Sequence, residues 1–488
     1  MKHIIIPNLS IKAAHPQGLA SDTDQDYARV ASEICNALAG LAIPDIPVSG
    51  IKLIGTNLAL YLEDVVADSG IWRSFTTEMK RRYGKYLPFF ELDESQYFQD
   101  EPNIEDVRLL IWYYMLIVQQ GTIGNPESPI LGQMTEAAYK VIDERFEDVP
   151  VNDNLKKFFV DAEFVDDFYR QRQLLFWLNS SCFLTFVPQY LDIINENAHL
   201  FFEQHIVPSP NEAFYLADSL MAFDQNHGPL KITSPEYLTM ILRANGNDKA
   251  ADIVAGQKFI DLGLFKIDKA EKGKSLTLRG TDDTTFTILA SGLNDPQPDA
   301  YDKKAILGSF VEYKGEWLIN GNVLYTDNIA KFEATREEYL SQQRLVPIYD
   351  KLIEEAGGSR LFYFADTKEL EQFLLDKLPN SDNVKKINLP SGHKYLVLYV
   401  PEDGKDLEIY PDAALSIKDE RNPYYRQKGA RNLAFNFALS CSDEMRHYLI
   451  SRDMLPDATI NSVYGLDRGN EIVQHDFDFI TRCVKTVL

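Results

Sequence analysis

The feature that most constrains the fold of this chain is a change in hydrophobic periodicity close to residue 226. Before it, apolar side chains recur about every 3.6 residues, as they do from Leu58 to Val66, and this spacing is typical of amphipathic helices. After it, the segments 275–282 (SLTLRGTD) and 285–290 (TFTILA) alternate with a period of two, which is typical of strands. A helical part followed by a strand-rich part is therefore expected.

Capping residues and prolines predict several helix boundaries. Asn103, followed by Glu105 and Asp106, predicts the start of an apolar helix over 107–118, because anions are favoured in the first turn. Ser234 before a proline predicts the start of another short helix. Further helices are predicted over 154–172, 173–187 and 190–205, with Pro188 as a break.

A β-hairpin is predicted between residues 306 and 320. The segments 306–313 (ILGSFVEY) and 316–320 (EWLIN) flank a two-residue turn, Lys314-Gly315. The alternation places Trp317 on the core face, so we interpret it as a packing residue and not as a stacking surface for a ligand.

The pattern after residue 331 is mixed. It predicts a helix from Glu337 to Ala356, a strand at 361–364, a helix capped by Thr367, and two strands at 394–400 and 407–410. The sequence thus predicts an α+β chain with three domains. They are a helical N-terminal domain (1–225), an antiparallel β sheet or small barrel (226–330) and a mixed α+β domain (331–488).

The charge balance bears on the partners of the chain. The 488 residues carry a formal net charge of −24, and such a field repels phosphate backbones and anionic membranes. The densest cationic cluster, Lys80-Arg81-Arg82, is short and lies beside Glu78. The apolar segments 107–118 and 173–191 are too short or too polar to cross a bilayer and are predicted to be buried helices. Neither nucleic acid nor membrane is therefore an expected partner.

The cysteines indicate a reducing compartment. Cys35, Cys182, Cys441 and Cys483 are far apart in sequence and form no C-x-x-C pair, so neither a disulfide framework nor a zinc site is expected. The N-terminal segment has only three isoleucines before Pro7, too few for the core of a signal peptide. A cytoplasmic location is predicted.

Metal and cofactor chemistry have little support in the sequence. Glu196/His199 and Glu444/His447 have the i, i+3 spacing of di-iron helices, but such sites need two further glutamates. Glu63 is predicted to point away from the apolar face of its helix, and Glu105 is explained as a first-turn anion. Catalytic, phosphate-loop and dinucleotide motifs are also missing, so no metal and no cofactor is expected.

The segment 416–425 (SIKDERNPYY) contains the candidate site residues. Asn422 and Pro423 predict the start of a helix whose buried face comprises Ala430, Leu433, Ala434, Phe437, Ala438 and Cys441. A helix start does not require Lys418, Asp419, Arg421 or Tyr424, which are therefore the candidate ligand contacts. Our hypothesis for Asp419 and Arg421 is a structural ion pair, because buried charges are usually paired.

A set of motifs occurs in one order along most of the sequence: TNLALYLEDVVADSGIWRSF (56–75), KYLPFF (85–90), DEPNIEDVRLLIWYY (100–114), SPEYLTMIL (234–242), GSFVEYKGEWLING (308–321), IKDERNPYY (417–425), MLPDA (454–458) and DFDFITR (476–482). This set of motifs resembles an uncharacterised family of large proteins from the Bacteroides group, known as a domain of unknown function. The resemblance implies a bacterial protein and a shared architecture, but no activity, cofactor or catalytic residue.

Two functions remain open from the sequence. The first is a soluble, non-catalytic cytoplasmic protein that binds a protein partner, another macromolecule or a second copy of itself; the missing catalytic motifs favour it. The alternative is an enzyme of the hydrolase or transferase type, with a carboxylate-based site at a domain interface.

Overall fold

The computed structural model describes residues 3–41, 43, 46–90, 92–120, 124–289, 293, 300–379, 384–385, 387–402, 407–455 and 466–487. The chain has an α+β fold and divides into two compact units. Unit 1 comprises Met1–Leu278, Thr285–Asp327 and Arg482–Leu488, and unit 2 comprises Arg279–Thr284 and Asn328–Thr481. The predicted boundary at 330 lies close to the change of unit, whereas the one at 225 lies inside unit 1. The division into three domains stays a prediction.

Unit 1 begins with a set of helices that bury one another. They are α1 (Asn8–Ala14), α2 (Asp24–Gly40), α3 (Val48–Ala67), α4 (Ile71–Tyr83), α5 (Ile104–Val118), α6 (Pro129–Phe146), α7 (Asp153–Asp161), α8 (Phe168–Ser180), α9 (Tyr190–Glu203), α10 (Pro210–Asp224), α11 (Ser234–Ala244) and α12 (Asp248–Ala255). The predicted helices at Leu58 and at 107–118 are confirmed as parts of α3 and α5, both of which are buried over most of their length. No helix in the described part of the chain is long and apolar enough to cross a membrane.

Several of the predicted helix boundaries are wrong. The helix predicted over 173–187 is α8, which begins at Phe168 and ends at Ser180. The helix predicted over 154–172 is broken, because Ala162 adopts a left-handed conformation (φ 48°) and Asp167 caps a new helix by accepting bonds from the Tyr169 and Arg170 amides. The cap of α11 is Thr233 and not Ser234, since Thr233 and Glu236 form a capping box.

Six strands form a sheet after these helices. They are β1 (Lys258–Glu271), β2 (Ser275–Arg279), β3 (Thr285–Leu289), β4 (Ala305–Tyr313), β5 (Glu316–Ile319) and β6 (Leu324–Thr326). The strand order is β1-β2-β3-β5-β4-β6, and β1 also pairs with β4, so five strands close into a ring around an apolar core. The predicted hairpin is confirmed, with Tyr313 opposite Glu316, and Trp317 packs on the core. The β3–β5 pair is parallel, unlike the antiparallel sheet that we predicted.

Unit 2 is built on a smaller antiparallel sheet. Its strands are β7 (Leu361–Asp366), β8 (Lys394–Tyr399) and β9 (Glu408–Tyr410), and the predicted strands are confirmed there. Successive residues of β8 point into two different cores: Val397 and Tyr399 into one, Leu396 and Leu398 into the other. The helices are α13 (Ile329–Gln343), α14 (Val346–Glu355), α15 (Thr367–Lys377), α16 (Gln427–Ser440), α17 (Asp443–Ser451) and α18 (Leu466–Val487), the last of which ends in unit 1.

Two predictions for unit 2 are corrected by the structure. The helix predicted from Glu337 to Ala356 is two helices, and Pro347 lies in the first turn of the second, where its missing N–H does no harm. The cap of α15 is Asp366, whose carboxylate accepts bonds from the next two backbone amides. The hydroxyl of Thr367 instead donates to the Pro390 carbonyl oxygen.

Candidate functional site

The structure brings together two of the four candidate residues of segment 416–425. Arg421 and Asp419 form the expected ion pair, in which Nε donates to Oδ1 over 3.2 Å. Tyr363 on β7 donates to the other oxygen of Asp419 over 2.8 Å, and Arg421 also donates to the Ser359 hydroxyl. Burial raises the pKa of Asp419, but these hydrogen bonds outweigh it and hold the pKa below its ordinary value. The pair joins the segment to β7, as expected of a structural ion pair, and ligand contact by Asp419 and Arg421 stays a prediction.

Lys418 and Tyr424 have partners other than this ion pair. The backbone amide of Lys418 donates to the Met454 carbonyl oxygen over 2.7 Å, and its ammonium group is exposed. Tyr424 packs its ring against Tyr395, with 5.7 Å between the ring centroids. Ligand contact by these side chains stays a prediction.

The helix start that we predicted at Asn422 is wrong. The helix α16 begins at Gln427, and the Asn422 side chain donates to the carbonyl oxygens of Ala414 and Ile417 over 2.6 and 2.7 Å. Asn422 therefore closes a loop and does not cap a helix. The buried face of α16 is otherwise as predicted except for Leu433, whose surface is 41% exposed.

The prediction for Glu63 is also wrong. This residue is buried, with 1% of its surface exposed, and it accepts hydrogen bonds from Thr23 and Asn152 and bonds to His15 over 2.8 Å. Glu196 and His199 are exposed on α9, and Glu444 accepts a bond from Tyr399. Within the described ranges, no group of three metal-ligating side chains is close enough to hold a metal ion.

Two further buried carboxylates are held by internal donors. Asp106 accepts bonds from the hydroxyls of Tyr61 and Tyr97, each over 2.8 Å, and burial raises its pKa to about 6. Asp64 accepts bonds from the Ile71 and Trp72 amides and so caps α4 from the neighbouring helix. Because these carboxylates are saturated, we assign them to the fold and not to a binding site.

Unit 1 contains a cavity of about 450 Å³ that we call the basic cavity. It lies between the end of α4, one side of α11 along its length, the end of α12 and the first residues of β1. Its lining residues are Glu78, Arg81, Arg82, Phe223, Ile232, Thr233, Pro235, Glu236, Thr239, Met240, Arg243, Val254, Ala255, Gln257 and Phe259. Ligand sites in proteins commonly have this size and this mixture of apolar walls and a few polar groups.

Three arginines line the basic cavity. Arg81 donates two hydrogen bonds to Glu78 over 2.6 and 2.7 Å, and Arg82 donates a third over 2.5 Å. Burial raises the pKa of Glu78, but the bonds from both arginines outweigh it and hold the pKa below its ordinary value. The side chain of Glu78 thus fixes two guanidinium groups in place and keeps a negative charge of its own.

The third arginine is held much less firmly. Arg243 lies 3.4 Å from Asp252, and 56% of its side chain is exposed, so most of its five N–H donors face solvent. The carboxylate of Glu236 is already engaged by the amide and hydroxyl of Thr233, each over 2.8 Å. The charged side chains that line the cavity are therefore three arginines and two glutamates, and both glutamates already have partners.

Apolar side chains form the rest of the wall. The rings of Phe223 and Phe259 are stacked, with 5.6 Å between centroids and 8° between their planes. Ile232, Met240 and Val254 line the cavity beside them. A ligand that carries one anionic group on an apolar body would match this arrangement.

Sequence reasoning singled out one part of this site and missed the rest. Lys80-Arg81-Arg82 is the densest cationic run of an acidic chain, which is a usable signal. Arg243 and the apolar wall come from segments about 150 residues further on. Their proximity results from packing of α4 against α11 and has no signature in the local sequence.

The chain has an α+β fold with an arginine-lined cavity, and its sequence defines its family. Residues 8–257 and 316–486 match the family described as "Protein of unknown function (DUF3843)", and the chain belongs to that family. The matched residues include the whole lining of the basic cavity except Phe259. No curated protein and no solved structure matches the chain.

Proposed function

We propose that this protein is a non-catalytic binding protein, and that its basic cavity holds an acidic side chain from a protein partner. The observation that carries the proposal is the concentration of three arginines around one cavity of a chain whose net charge is −24. Guanidinium groups recognise carboxylates through paired, charge-assisted hydrogen bonds. The apolar wall would receive the side chains next to the acidic residue.

The overall charge of the chain limits which anionic ligands can reach the cavity. A strongly negative protein repels broadly anionic surfaces, so nucleic acid and anionic membranes are poor candidates for the cavity. An isolated carboxylate within an apolar segment meets much less repulsion. The alternative, a hydrolase or transferase with a carboxylate-based site, stays a prediction, and both carboxylates that line the cavity, Glu78 and Glu236, are already engaged by neighbouring side chains.

We further propose that the protein works in the reducing cytoplasm. All four cysteines are buried free thiols, which supports such a compartment. The Bacteroides-group origin implied by the sequence motifs stays a prediction.

The test is a titration of the full chain with two capped peptides, Gly-Leu-Glu-Leu-Gly and Gly-Leu-Gln-Leu-Gly, by isothermal titration calorimetry. The glutamate peptide should bind more tightly, by roughly tenfold or more, because a hydrogen bond to a charged group contributes about 1.5–3 kcal/mol. Its affinity should fall as salt is added.

The variant Arg243→Gln should remove this preference, since the freest guanidinium group is lost. The matched control is Arg29→Gln, which removes a similarly exposed arginine that lies 3.9 Å from Asp26 on α2. Equal affinities of the two peptides for the wild-type chain would refute the proposal, and so would a preference that survives Arg243→Gln.

A further inference from the structure

A second cavity in unit 1, of about 340 Å³, has the opposite polarity. We call it the acidic groove. Its walls come from α9, α10 and β1 and include the apolar side chains of Ile193, Phe201, Leu220, Met221 and Leu262. Two carboxylates, Asp224 and Asp261, lie at this apolar site.

Both carboxylates belong to exposed residues, and they lie close enough for their charges to interact. Asp224 is the last residue of α10, where the negative end of the helix dipole disfavours an anion. Burial raises the pKa of Asp224, and the charge of Asp261 raises it further. Asp261 accepts a bond from the Leu262 amide over 2.6 Å, and the described lining of the groove contains no lysine, arginine or histidine.

We propose that the acidic groove binds a lysine or arginine side chain of a partner protein. The cationic end would lie between Asp224 and Asp261, where it relieves their mutual repulsion and the unfavourable helix dipole. The alkyl stem would pack on Phe201, Leu220 and Leu262, because long cationic side chains cover apolar surface while their charged ends reach polar groups.

The surface next to the groove fits a protein segment better than a small amine. Leu200 lies one turn from Asn197 on α9 and is 49% exposed, and Phe214 lies two turns before Met221 on α10 and is 38% exposed. These side chains offer apolar contacts to the residues that flank the bound cation. The negative net charge of the chain attracts basic protein segments, whereas it repels the acidic segments proposed to bind the basic cavity.

This site does not depend on the proposed function. No residue lines both cavities, so each proposal is tested with variants of its own. Asp261 and Leu262 also lie outside the residues that match the family.

The experiment titrates the full chain with the capped peptides Gly-Leu-Lys-Leu-Gly and Gly-Leu-Nle-Leu-Gly, where Nle is norleucine, an uncharged side chain of similar shape. We expect the lysine peptide to bind at least about tenfold more tightly. The double variant Asp224→Asn/Asp261→Asn should abolish the difference. The control Asp143→Asn/Asp148→Asn removes the same charge from exposed positions of α6 and the turn after it, and should retain the preference.

Thermal unfolding of the same variants shows whether the groove variant is folded. Because the two introduced amide side chains carry no charge and would not repel each other, its Tm should equal or exceed that of the wild type. A wild-type chain that binds both peptides equally would overturn the proposal. So would a folded groove variant that still prefers lysine, or a control that loses the preference as completely as the groove variant does.

Discussion

At the scale of single residues, buried polar side chains of unit 1 connect its helices through hydrogen bonds. His15, just after α1, lies between Glu63 on α3, at 2.8 Å, and Asp24 on α2, at 3.4 Å. Asn152, which caps α7, donates to the same glutamate. One carboxylate thus joins four helices, and its removal would leave several buried donors without a partner.

The protonation of His15 should make stability depend on pH. Burial lowers the pKa of His15, but the hydrogen bond and charge of Glu63, with the charge of Asp24, outweigh it, so the pKa lies above its ordinary value of 6.5. Because the pKa of His15 is higher in the folded than in the unfolded protein, protonation of His15 stabilises the folded state. This stabilisation is fully present below pH 6.5 and is lost as the pH rises through the folded-state pKa.

We therefore expect the free energy of unfolding to fall as the pH rises above 6.5, and to fall less in His15→Gln. Urea denaturation at several pH values measures the free energy of unfolding of the wild type and of the variant. The control is His199→Gln, which removes an exposed histidine of α9 and should keep the wild-type pH dependence. If His15→Gln and the wild type had parallel pH profiles, His15 would not be charged in the folded protein.

At the scale of elements, loops in unit 2 are held by side chains that sequence patterns assign to helix caps. Asn422 precedes a proline and resembles a cap, yet its amide group donates to two carbonyl oxygens of the preceding loop. Only the Oδ1 bond from the Tyr424 amide resembles the expected interaction. Local sequence cannot distinguish the two roles, because both place an asparagine at a turn.

Substitution of Asn422 by aspartate distinguishes a helix cap from a loop-closing side chain. A helix cap tolerates Asn→Asp, whereas at position 422 the new carboxylate would face the Ala414 and Ile417 carbonyl oxygens. We expect Asn422→Asp to lower the free energy of unfolding by about 1–3 kcal/mol, at least as much as Asn422→Ala. Chemical denaturation measures both variants.

The matched control is Asn328→Asp at the true cap of α13, where Oδ1 accepts a bond from the Lys331 amide over 3.0 Å. This change should be close to neutral, because asparagine and aspartate are similar caps. A neutral Asn422→Asp would contradict the loop-closing role.

At the scale of the whole molecule, charge is the dominant global property. The chain has 73 acidic against 49 basic residues, so self-repulsion opposes the compact state. Many lysines and arginines are in exposed ion pairs, and such pairs contribute little. Repulsion between like charges should therefore affect the salt dependence of stability more than these ion pairs do.

We expect the Tm to rise as sodium chloride increases from about 0.05 M to about 0.5 M, because the Debye length shortens. Scanning calorimetry gives the Tm at each salt concentration. The variant Asp143→Asn/Glu147→Gln/Asp148→Asn removes three exposed charges and should respond less. A Tm that falls with salt would mean that ion pairs, and not repulsion, dominate the surface.

Features that depend on residues close together in sequence could be predicted, and features that depend on distant residues could not. The helix at 107–118 and the hairpin at 306–320 could be predicted, because their periodicity and turn residues are local. The strand β1 was missed: its register shifts between Ile260 and Gly263, and the bulge interrupts the alternation that would reveal it. The ion pair of Asp419 and Arg421 was predictable from their closeness in sequence, whereas their contact with Tyr363 was not.

The sequence by itself determined the α+β class, the change from helices to strands, the family and the acidic character of the protein. Periodicity, composition and motifs are sufficient for these, because each is a property of the chain read in order. Only the tertiary structure decided where the two cavities lie and that Glu63 is buried. Arg81 and Arg243, like Asp224 and Asp261, are distant in sequence, and only helix and strand packing brings such side chains to one site.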